Sequence, residues 1–236
     1  MSKKSFVVGH RGASGLAPEN TLPALEVGIA AGANLVEVDV QRTTDGVLIV
    51  FHDDNLERLT NGKGVMAQKS LAKLKALDAG SHFSPQFAGT TLPTLDEALA
   101  LVMSKGKHLV IEAKSPADFP GMETQLLDTI RQHSAEKNVT VISFDHAWLK
   151  NFKTLAPHIP VGPIDMYPTP ALLTERWAEI IDVYWVSLVV RPLITHRLRK
   201  MGYEVWVWTV NHAWQMRLMR WLGVTGITSD YPNRWR

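Results

Sequence analysis

The chain has 236 residues, of which 45% are hydrophobic, and it contains no cysteine; it can bury the core of one domain, and disulfides, thiolate catalysis and thiolate metal ligation are excluded. Its formal net charge of +2 is spread along the chain without a lysine or arginine block, which speaks against a nucleic-acid partner and is compatible with an acidic small molecule. The N-terminal residues lack the apolar core of a signal peptide, and no segment approaches the roughly 18 apolar residues of a membrane span, so we expect a cytoplasmic protein without stable membrane insertion, of open oligomeric state.

Eight short β-rich runs follow one another along the chain, and most are separated by segments with the hydrophobic period of an amphipathic helix. The predicted strands cover residues 6–9, 35–40, 108–113, 139–143, 160–164, 183–188, 204–210 and 226–229. The predicted helices cover residues 22–31, 96–103, 122–133, 147–155, 170–180, 192–201 and 213–222. Eight such alternations predict an α/β fold, the (β/α)₈ or TIM barrel, as a single domain.

A further β-rich run, Val47 to Phe51, stands outside this alternation. Only residues 42–46 separate it from the second predicted strand, and a parallel crossover needs a dozen or more residues, so the run must return antiparallel. Turn signals and a short leucine-spaced helix at 71–77 follow it. We therefore predict a small insertion subdomain after the second barrel strand, from residue 45 to about residue 92, that lies over the barrel mouth.

Most of the polar motifs lie at or just after the carboxyl ends of the predicted strands, the face that carries the chemistry in such barrels. In chain order the motifs are His10-Arg11-Gly12, Pro18-Glu19-Asn20, Glu37-Val38-Asp39, His52-Asp53, Glu112-Ala113-Lys114, Trp208-Thr209-Val210-Asn211 and Ser229-Asp230. In this order they resemble the glycerophosphodiester phosphodiesterase family, in its short bacterial cytoplasmic form, across nearly the whole chain. Ala113 departs from the pattern, since the family commonly has a larger aliphatic residue there. The resemblance implies an enzyme that hydrolyses glycerophosphodiesters to sn-glycerol 3-phosphate and an alcohol, and a barrel with its insertion after the second strand.

A metal site is indicated by two acidic residues on one strand. Glu37 and Asp39 alternate with three valines, so both carboxylates face the barrel lumen and need a cation to stay ionised together. Glu112, at a matching level on the next strand, is the natural third ligand, and the resemblance implies the same three residues. Three carboxylates without cysteine or paired histidines favour one hard divalent cation, Mg²⁺ or Ca²⁺. The alternative is that Glu37 pairs with Arg42 or another base on a solvated strand.

Two of the nine histidines, His10 and His52, lie within the motifs. Cleavage of a phosphodiester needs one proton removed from the attacking oxygen and one delivered to the leaving oxygen, and imidazole can do either near neutrality. We predict that these two residues are the catalytic acid and base, without fixing which has which role. The attacking oxygen is left open between water and the substrate's own glycerol 2-hydroxyl. A lone histidine usually has a structural role, and we assign one to the other seven.

Three further residues are predicted to hold the substrate. Arg11 and Lys114 provide positive charge for the phosphoryl oxygens, and their alternative role is structural pairing with the carboxylates of the metal site. Trp208 resembles the family's aromatic residue near the substrate, and its alternative is a plain core tryptophan. Asn20 most simply caps the first helix.

Three other functions fit parts of the sequence. A dinucleotide-binding oxidoreductase would explain the strand, glycines and helix at the start of the chain, but Gly9, Gly12 and Gly15 lack the expected spacing. A barrel kept only as a binding module would normally have lost a motif carboxylate or histidine, and none is missing. The same site acting on a lysophospholipid would need an apolar channel, and exposed aromatic residues in the insertion would favour it.

Overall fold

Eight parallel strands close into a ring in the computed structural model, which describes residues 5–169 and 174–235. The barrel strands are β1 (Phe6–Gly9), β2 (Leu35–Arg42), β4 (His108–Ala113), β5 (Val139–Ser143), β6 (Val161–Asp165), β7 (Ile180–Tyr184), β8 (Glu204–Trp208) and β9 (Gly226–Ser229). A short strand, β3 (Leu48–Val50), lies outside the ring. Consecutive barrel strands pair in parallel, and β1 pairs with both β2 and β9. The predicted (β/α)₈ barrel is confirmed.

Helices connect most of these strands and cover the outside of the barrel. They are α1 (Leu22–Ala30), α2 (Leu71–Lys75), α3 (Leu95–Ser104), α4 (Met122–Gln132), α5 (His146–Leu155), α6 (Trp185–Val190), α7 (Leu193–Lys200) and α8 (Ala213–Trp221). Side-chain caps fix where several of them begin: Thr21 and Asp145 each accept a hydrogen bond from a backbone N–H of the first turn, and Thr94 forms a capping box with Glu97. None of the helices in the described part of the chain is long and apolar enough to cross a membrane.

Alternation along the strands divides the apolar side chains between two cores. Val36, Val38 and Val40 face outward and are buried against the helices, as their spacing predicts. Inward-facing side chains instead form a floor across the lumen, from Val8, Val110, Ile142, Ile164, Ile180 and Trp206. Full burial of such a side chain contributes about 1.5–3 kcal/mol, so this floor is a stable plug. In the described part of the chain, the lumen above this floor is therefore open toward the carboxyl ends of the strands.

The predicted antiparallel return is confirmed, because β3 pairs antiparallel with β2 through Val40 with Val50 and Arg42 with Leu48. The chain that follows packs a small apolar cluster of its own, from Ile49, Phe51, Leu56, Leu59, Met66, Leu74, Ala79 and Leu92. This segment begins at the carboxyl end of β2. It thus delivers His52 to the mouth of the barrel from outside the ring of strands.

One region differs from the predicted elements. The strand predicted over residues 183–188 is wrong: the strand spans Ile180–Tyr184, and Trp185–Val190 form helix α6. The predicted helix over 170–180 lies partly outside the described residues; within them, residues 175–179 are not helical, and its last position, Ile180, already belongs to the strand. The physical reason is Asp182, a lumen-facing carboxyl that interrupts the apolar pattern of the true strand. The apolar run after it has β-strand propensity, and tertiary packing overrides that propensity.

Candidate active site

A pocket of about 210 Å³ opens at the carboxyl ends of the barrel strands. It is lined by His10, Arg11, Glu37, His52, Glu112, Lys114, Ile142, Phe144, Ile164, Asp182, Trp208, Thr209 and Thr228. The structure thus brings seven of the eight predicted site residues to one cavity, and the eighth, Asp39, lies beside Glu37 and Glu112. We call His10, Arg11, Glu37, His52, Glu112 and Lys114 the charged wall. We call Ile142, Phe144, Ile164 and Trp208 the apolar wall.

The three predicted metal ligands form one cluster. Glu37, Asp39 and Glu112 each offer an oxygen, and these oxygens lie within 4.8 Å of one another. Parallel pairing of β2 with β4 places Asp39 in register with Glu112. Glu37 Oε2 accepts a hydrogen bond of 2.8 Å from the backbone N–H of Arg11, whereas its buried Oε1 has no protein partner. The predicted alternative, a pair between Glu37 and Arg42, is not formed, because Arg42 instead donates to the carbonyl of Pro120.

The electrostatics of the three carboxyl groups indicates that the cluster lacks positive charge. Burial raises the pKa of Glu37 well above its usual range, and the neighbouring carboxylates of Asp39 and Glu112 raise it further. Burial and the charge of Asp39 likewise raise the pKa of Glu112. Three carboxyl groups at this spacing cannot all be ionised without compensating positive charge, and Arg11 and Lys114 supply only two such charges. An all-oxygen donor set with one oxygen left unpartnered fits a hard divalent ion.

Asn20 holds the central carboxylate and does not cap the first helix, so the predicted capping role is wrong. Its side-chain amide donates a hydrogen bond of 2.8 Å to Asp39 Oδ2, and its Oδ1 accepts one of 3.1 Å from the Asp39 backbone N–H. The cap is formed by the next residue, Thr21. Asn20 has a φ of 59°, a left-handed conformation that asparagine tolerates better than most residues. Its side chain is turned toward the site as a result.

Asp230 orients His10. The sequence marks Asp230 as part of a motif but does not predict a role for it. His10 Nδ1 lies 2.6 Å from Asp230 Oδ1, and Asp230 also accepts hydrogen bonds from Ser14 and Asn211. Burial acts to raise the pKa of Asp230, but the hydrogen bonds with His10, Ser14 and Asn211 outweigh it and hold that pKa below its usual range. An ionised carboxylate only accepts hydrogen bonds, so Nδ1 of His10 carries the proton and Nε2 is available for proton transfer.

His52 has an equivalent partner with a different environment. Its Nδ1 lies 2.7 Å from Asp53 Oδ1, so its Nε2 is also left for chemistry. Arg58 donates to both oxygens of Asp53, at 2.6 and 2.7 Å, and these bonds lower the pKa of Asp53 to about 2. Burial lowers the pKa of His52 itself. The buried side chain of Gln41 fixes the loop, because its Nε2 donates to the carbonyl oxygens of Phe51, His52 and Asp53 at 3.0–3.1 Å.

The two predicted phosphate-binding residues are both paired with carboxylates. Lys114 Nζ donates a hydrogen bond of 2.9 Å to Glu112, and Arg11 Nε lies 3.1 Å from Asp39 Oδ2. Burial acts to lower the pKa of Arg11 and of Lys114, but the neighbouring carboxylates outweigh this effect and raise both pKa values. Both side chains therefore stay charged. The structural pairing is present, and both residues also line the pocket, so it does not compete with a role toward the substrate.

The apolar wall faces these charges across the pocket. Trp208 packs edge-on against Phe144, with ring centroids 5.7 Å apart, and its buried Nε1 has no hydrogen-bond partner. Asp182 projects from β7 into the same wall, and its buried Oδ1 also lacks a partner. Buried polar atoms are normally bonded. In the described residues, four of the six buried side-chain atoms without a hydrogen bond belong to this pocket: those of Arg11, Glu37, Asp182 and Trp208, of which Arg11 Nε is ion-paired with Asp39.

Several residues of the site carry no role in the sequence analysis. They are Gln41, Asp53, Arg58, Asp182, Asn211 and Asp230. A local signal existed for Asp53, which directly follows His52, and the Ser229-Asp230 motif marked the second carboxylate. No local signal connects Gln41 or Arg58 with His52, because the loop geometry that joins them forms only in the fold.

Comparison with known proteins places the chain in a family. The profile of the glycerophosphoryl diester phosphodiesterase family matches residues 10–234. A glycerophosphodiester phosphodiesterase of Caldanaerobacter subterraneus is 36% identical over 237 residues, which cover 97% of this chain and 95% of that protein. A glycerophosphodiester phosphodiesterase of Bacillus subtilis is 36% identical over 250 residues, covering 97% of this chain and 84% of that protein.

A solved structure extends the similarity to the fold. An Oleispira antarctica phosphodiesterase in complex with the product sn-glycerol-3-phosphate superposes with a TM-score of 0.92 at 30% identity, covering 98% of this chain and 95% of that one. The family profile and the curated relatives each span nearly the whole chain. The chain therefore belongs to the glycerophosphoryl diester phosphodiesterase family and is a phosphodiesterase.

Proposed function

We propose that this enzyme hydrolyses glycerophosphodiesters to sn-glycerol 3-phosphate and an alcohol, with a divalent cation and with His10 and His52 as acid and base. The observation that carries the proposal is the shared pocket: two histidines, each oriented by a carboxylate, line the same cavity as the acidic cluster. The Oleispira relative in complex with sn-glycerol-3-phosphate supports the product. A cytoplasmic location remains part of the proposal, in keeping with a chain that has no cysteine.

The cation is assigned to Glu37, Asp39 and Glu112, and Mg²⁺ and Ca²⁺ both suit these ligands. A cation held there would polarise the phosphoryl group as a Lewis acid. Charge balance supports the assignment. Three ionised carboxylates against Arg11 and Lys114 leave one negative charge, and a divalent cation turns this into one positive charge. A phosphodiester monoanion would then neutralise the site.

The two histidines differ in the charge beside them. Asp53 is held by the fork of Arg58, so much of its charge is compensated, and burial lowers the pKa of His52. Asp230 is held by the uncharged side chains of Ser14 and Asn211, so its charge remains available to a protonated His10. We therefore assign the base to His52 and the acid to His10.

In the reaction that follows, His52 Nε2 takes the proton of the attacking hydroxyl as its oxygen bonds to phosphorus. The bond from phosphorus to the leaving alcohol breaks, and His10 Nε2 delivers the proton that this oxygen needs. Arg11 and Lys114 offset the negative charge that builds on the phosphoryl oxygens. Arg11 and Lys114 are already held in place by carboxylates, so their side chains need little reordering when the substrate binds.

The test is a product assay with glycerophosphocholine and glycerophosphoethanolamine in the presence of Mg²⁺ or Ca²⁺. We expect sn-glycerol 3-phosphate and the free alcohol in equal amounts, measured by coupled oxidation of sn-glycerol 3-phosphate and by chromatography of the alcohol. The matched control is the His52→Ala protein, which should release neither product at a comparable rate. Release of glycerol and a phosphorylated alcohol, or no turnover of either diester, would contradict the proposal.

A second candidate substrate, a lysophospholipid, is favoured by apolar side chains at the mouth. Phe144 lines the pocket and is 50% exposed, and Met166 and Tyr167, just after β6, are 44% and 54% exposed. In the insertion, the large hydrophobic residues Val65 and Phe83 are only 37% and 38% exposed. An acyl chain leaving the pocket would thus meet the rim after β5 and β6. Including a lysophospholipid in the same assay decides whether it is turned over faster than glycerophosphocholine.

A further inference from the structure

Asp182 is a buried carboxyl group to which the proposed reaction assigns no role. Its neighbours on β7, Ile181 and Val183, face outward into the core beneath the helices, whereas Asp182 lines the pocket. Its side chain is 2% exposed, and no protein group is hydrogen-bonded to its buried Oδ1. A valine or leucine would fill this position without the penalty of burying an unpaired polar atom. The carboxyl group therefore calls for a partner that the protein does not provide.

The surroundings of Asp182 define what that partner can be. The paired positions on the neighbouring strands are Ile164 and Trp206, both members of the apolar floor. Burial raises the pKa of Asp182 well above its usual range, and the charge of Glu112 raises it further. A carboxyl group buried among apolar side chains with no basic side chain bonded to it favours its neutral form, which offers one donor and one acceptor.

Three kinds of partner can be compared with this chemistry. A divalent cation would bind more strongly to the three carboxylates of the acidic cluster, whose ligand oxygens lie within 4.8 Å of one another. Asp182 is not part of that cluster. A phosphoryl oxygen only accepts hydrogen bonds, and Arg11 and Lys114 offer it full charges in the same pocket. An alcohol hydroxyl both donates and accepts, as a neutral carboxyl group does. Among the three, a hydroxyl group is therefore the partner that best fits Asp182.

We propose that Asp182 forms a hydroxyl-binding subsite at the bottom of the pocket, where it holds a hydroxyl of the glycerol moiety. This inference rests on the proposed function, since it assigns the glycerol end of the diester to the apolar floor. The opposite orientation fits less well. The alcohol moiety varies in size among glycerophosphodiesters, and it would have little room beside Asp182, which is 2% exposed, whereas Phe144 at the mouth is 50% exposed.

The test compares two ligands that differ only in their hydroxyl groups. Calorimetric titration of the Mg²⁺-loaded protein with sn-glycerol 3-phosphate and with n-propyl phosphate gives two dissociation constants. For Asp182→Ala we expect binding of sn-glycerol 3-phosphate to weaken about tenfold, the effect of one lost hydrogen bond at a buried site, with n-propyl phosphate unchanged. Asp182→Asn, which keeps a donor and an acceptor, should stay within about threefold of the wild type. Ile164→Ala is the matched control and should affect both ligands equally.

Several results would overturn the inference. They are an equal change for both ligands in Asp182→Ala, unchanged binding of sn-glycerol 3-phosphate, an Asn variant as weak as the Ala variant, or a weakened Mg²⁺ titration that makes Asp182 a metal ligand. If Asp182→Ala does not fold, Asp182→Val provides the same comparison with a residue suited to a strand. These binding constants do not depend on turnover. An enzyme that cleaves diesters but shows no ligand preference at Asp182 refutes this inference alone, and a preference without any diester cleavage refutes the proposed function alone.

Discussion

The charged wall and the apolar wall of the pocket come from opposite halves of the barrel and satisfy their polar groups in different ways. The charged wall, from β1, β2, β4 and the insertion, is a connected network. In it Glu19 accepts hydrogen bonds from both Arg11 and Arg58 and so joins the first barrel loop to the His52 loop. The two atoms of this wall without a hydrogen bond, Arg11 Nε and Glu37 Oε1, lie among the carboxylates of the acidic cluster. The apolar wall, from β5, β6 and β8, instead leaves Trp208 Nε1 unbonded beside the unpaired Asp182, away from any such cluster.

This difference indicates a division of work between the halves. Network bonds hold a catalytic group in one geometry before the substrate arrives, which is what proton transfer and phosphoryl stabilisation require. Unbonded polar atoms in an apolar setting gain their partners only from a ligand, which is what selectivity requires. We therefore expect changes in the charged wall to act on kcat and changes in the apolar wall to act on the choice and affinity of the substrate.

The largest expected effect is removal of the cation from the charged wall. Exhaustive chelation, Glu37→Gln or Asp39→Asn should each lower kcat/KM by about 10³-fold or more, because several kcal/mol of charge stabilisation are lost. Mg²⁺ or Ca²⁺ should also raise the Tm of the wild type, since a ligand of the folded state stabilises it. The control is Asp165→Asn, at the same end of the barrel but outside the pocket lining. Full activity after chelation would remove the cation from the mechanism.

The second effect separates the two histidines. His10→Ala and His52→Ala should each lower turnover of an ordinary diester by at least about 10²-fold. With an activated aryl leaving group, which needs little protonation, His10→Ala should recover and His52→Ala should not. The reverse pattern would exchange the two roles, and equal recovery would refute the two-histidine scheme. His133→Gln, a histidine paired with Asp96 far from the pocket, is the control.

The pH dependence of the wild type provides a further check on His52. Burial lowers the pKa of this histidine, so the neutral form that acts as base persists below the ordinary value of about 6.5. Activity should therefore be retained as the pH falls through that value and should be lost at lower pH, when His52 is protonated. The measurement is kcat/KM against pH for the free enzyme. An acid limb above the ordinary value would contradict the assignment of the base.

A smaller effect on kcat is expected from Gln41, a positioning residue behind His52. Gln41→Ala removes the donor that contacts the carbonyl oxygens of Phe51, His52 and Asp53, and we expect kcat to fall about tenfold with KM little changed, because a misplaced base loses alignment. The control is Gln125→Ala, since Gln125 binds the Gly46 carbonyl near the start of the insertion and not the His52 loop. Equal losses in both variants would make the role of Gln41 merely structural.

The two walls also differ in how far the sequence predicts them. The residues of the charged wall lie in short motifs next to strand ends, so alternation and strand order were enough to bring them together. Asp182 lies in a strand whose apolar pattern it interrupts, and the predicted strand was displaced onto α6 for that reason. The contacts of Gln41 and Asn20 join segments that meet only in the folded chain. Local pattern thus predicts which groups come together at the pocket, whereas their orientation depends on tertiary geometry.

The smallest expected effect lies in the apolar wall, at Trp208. Trp208→Phe keeps an aromatic ring against Phe144 but removes the unbonded Nε1–H together with the second ring of the indole. If a substrate oxygen accepts that hydrogen bond, KM should rise about threefold with kcat unchanged, which corresponds to the weak end of a single hydrogen bond. The matched control is Trp148→Phe, in α5 on the outside of the barrel, where the indole N–H already donates to Glu123 at 3.2 Å and its loss should leave KM as it is. A fall in kcat at Trp208 instead would show that the apolar wall takes part in the chemical step, and the division between the two walls would have to be given up.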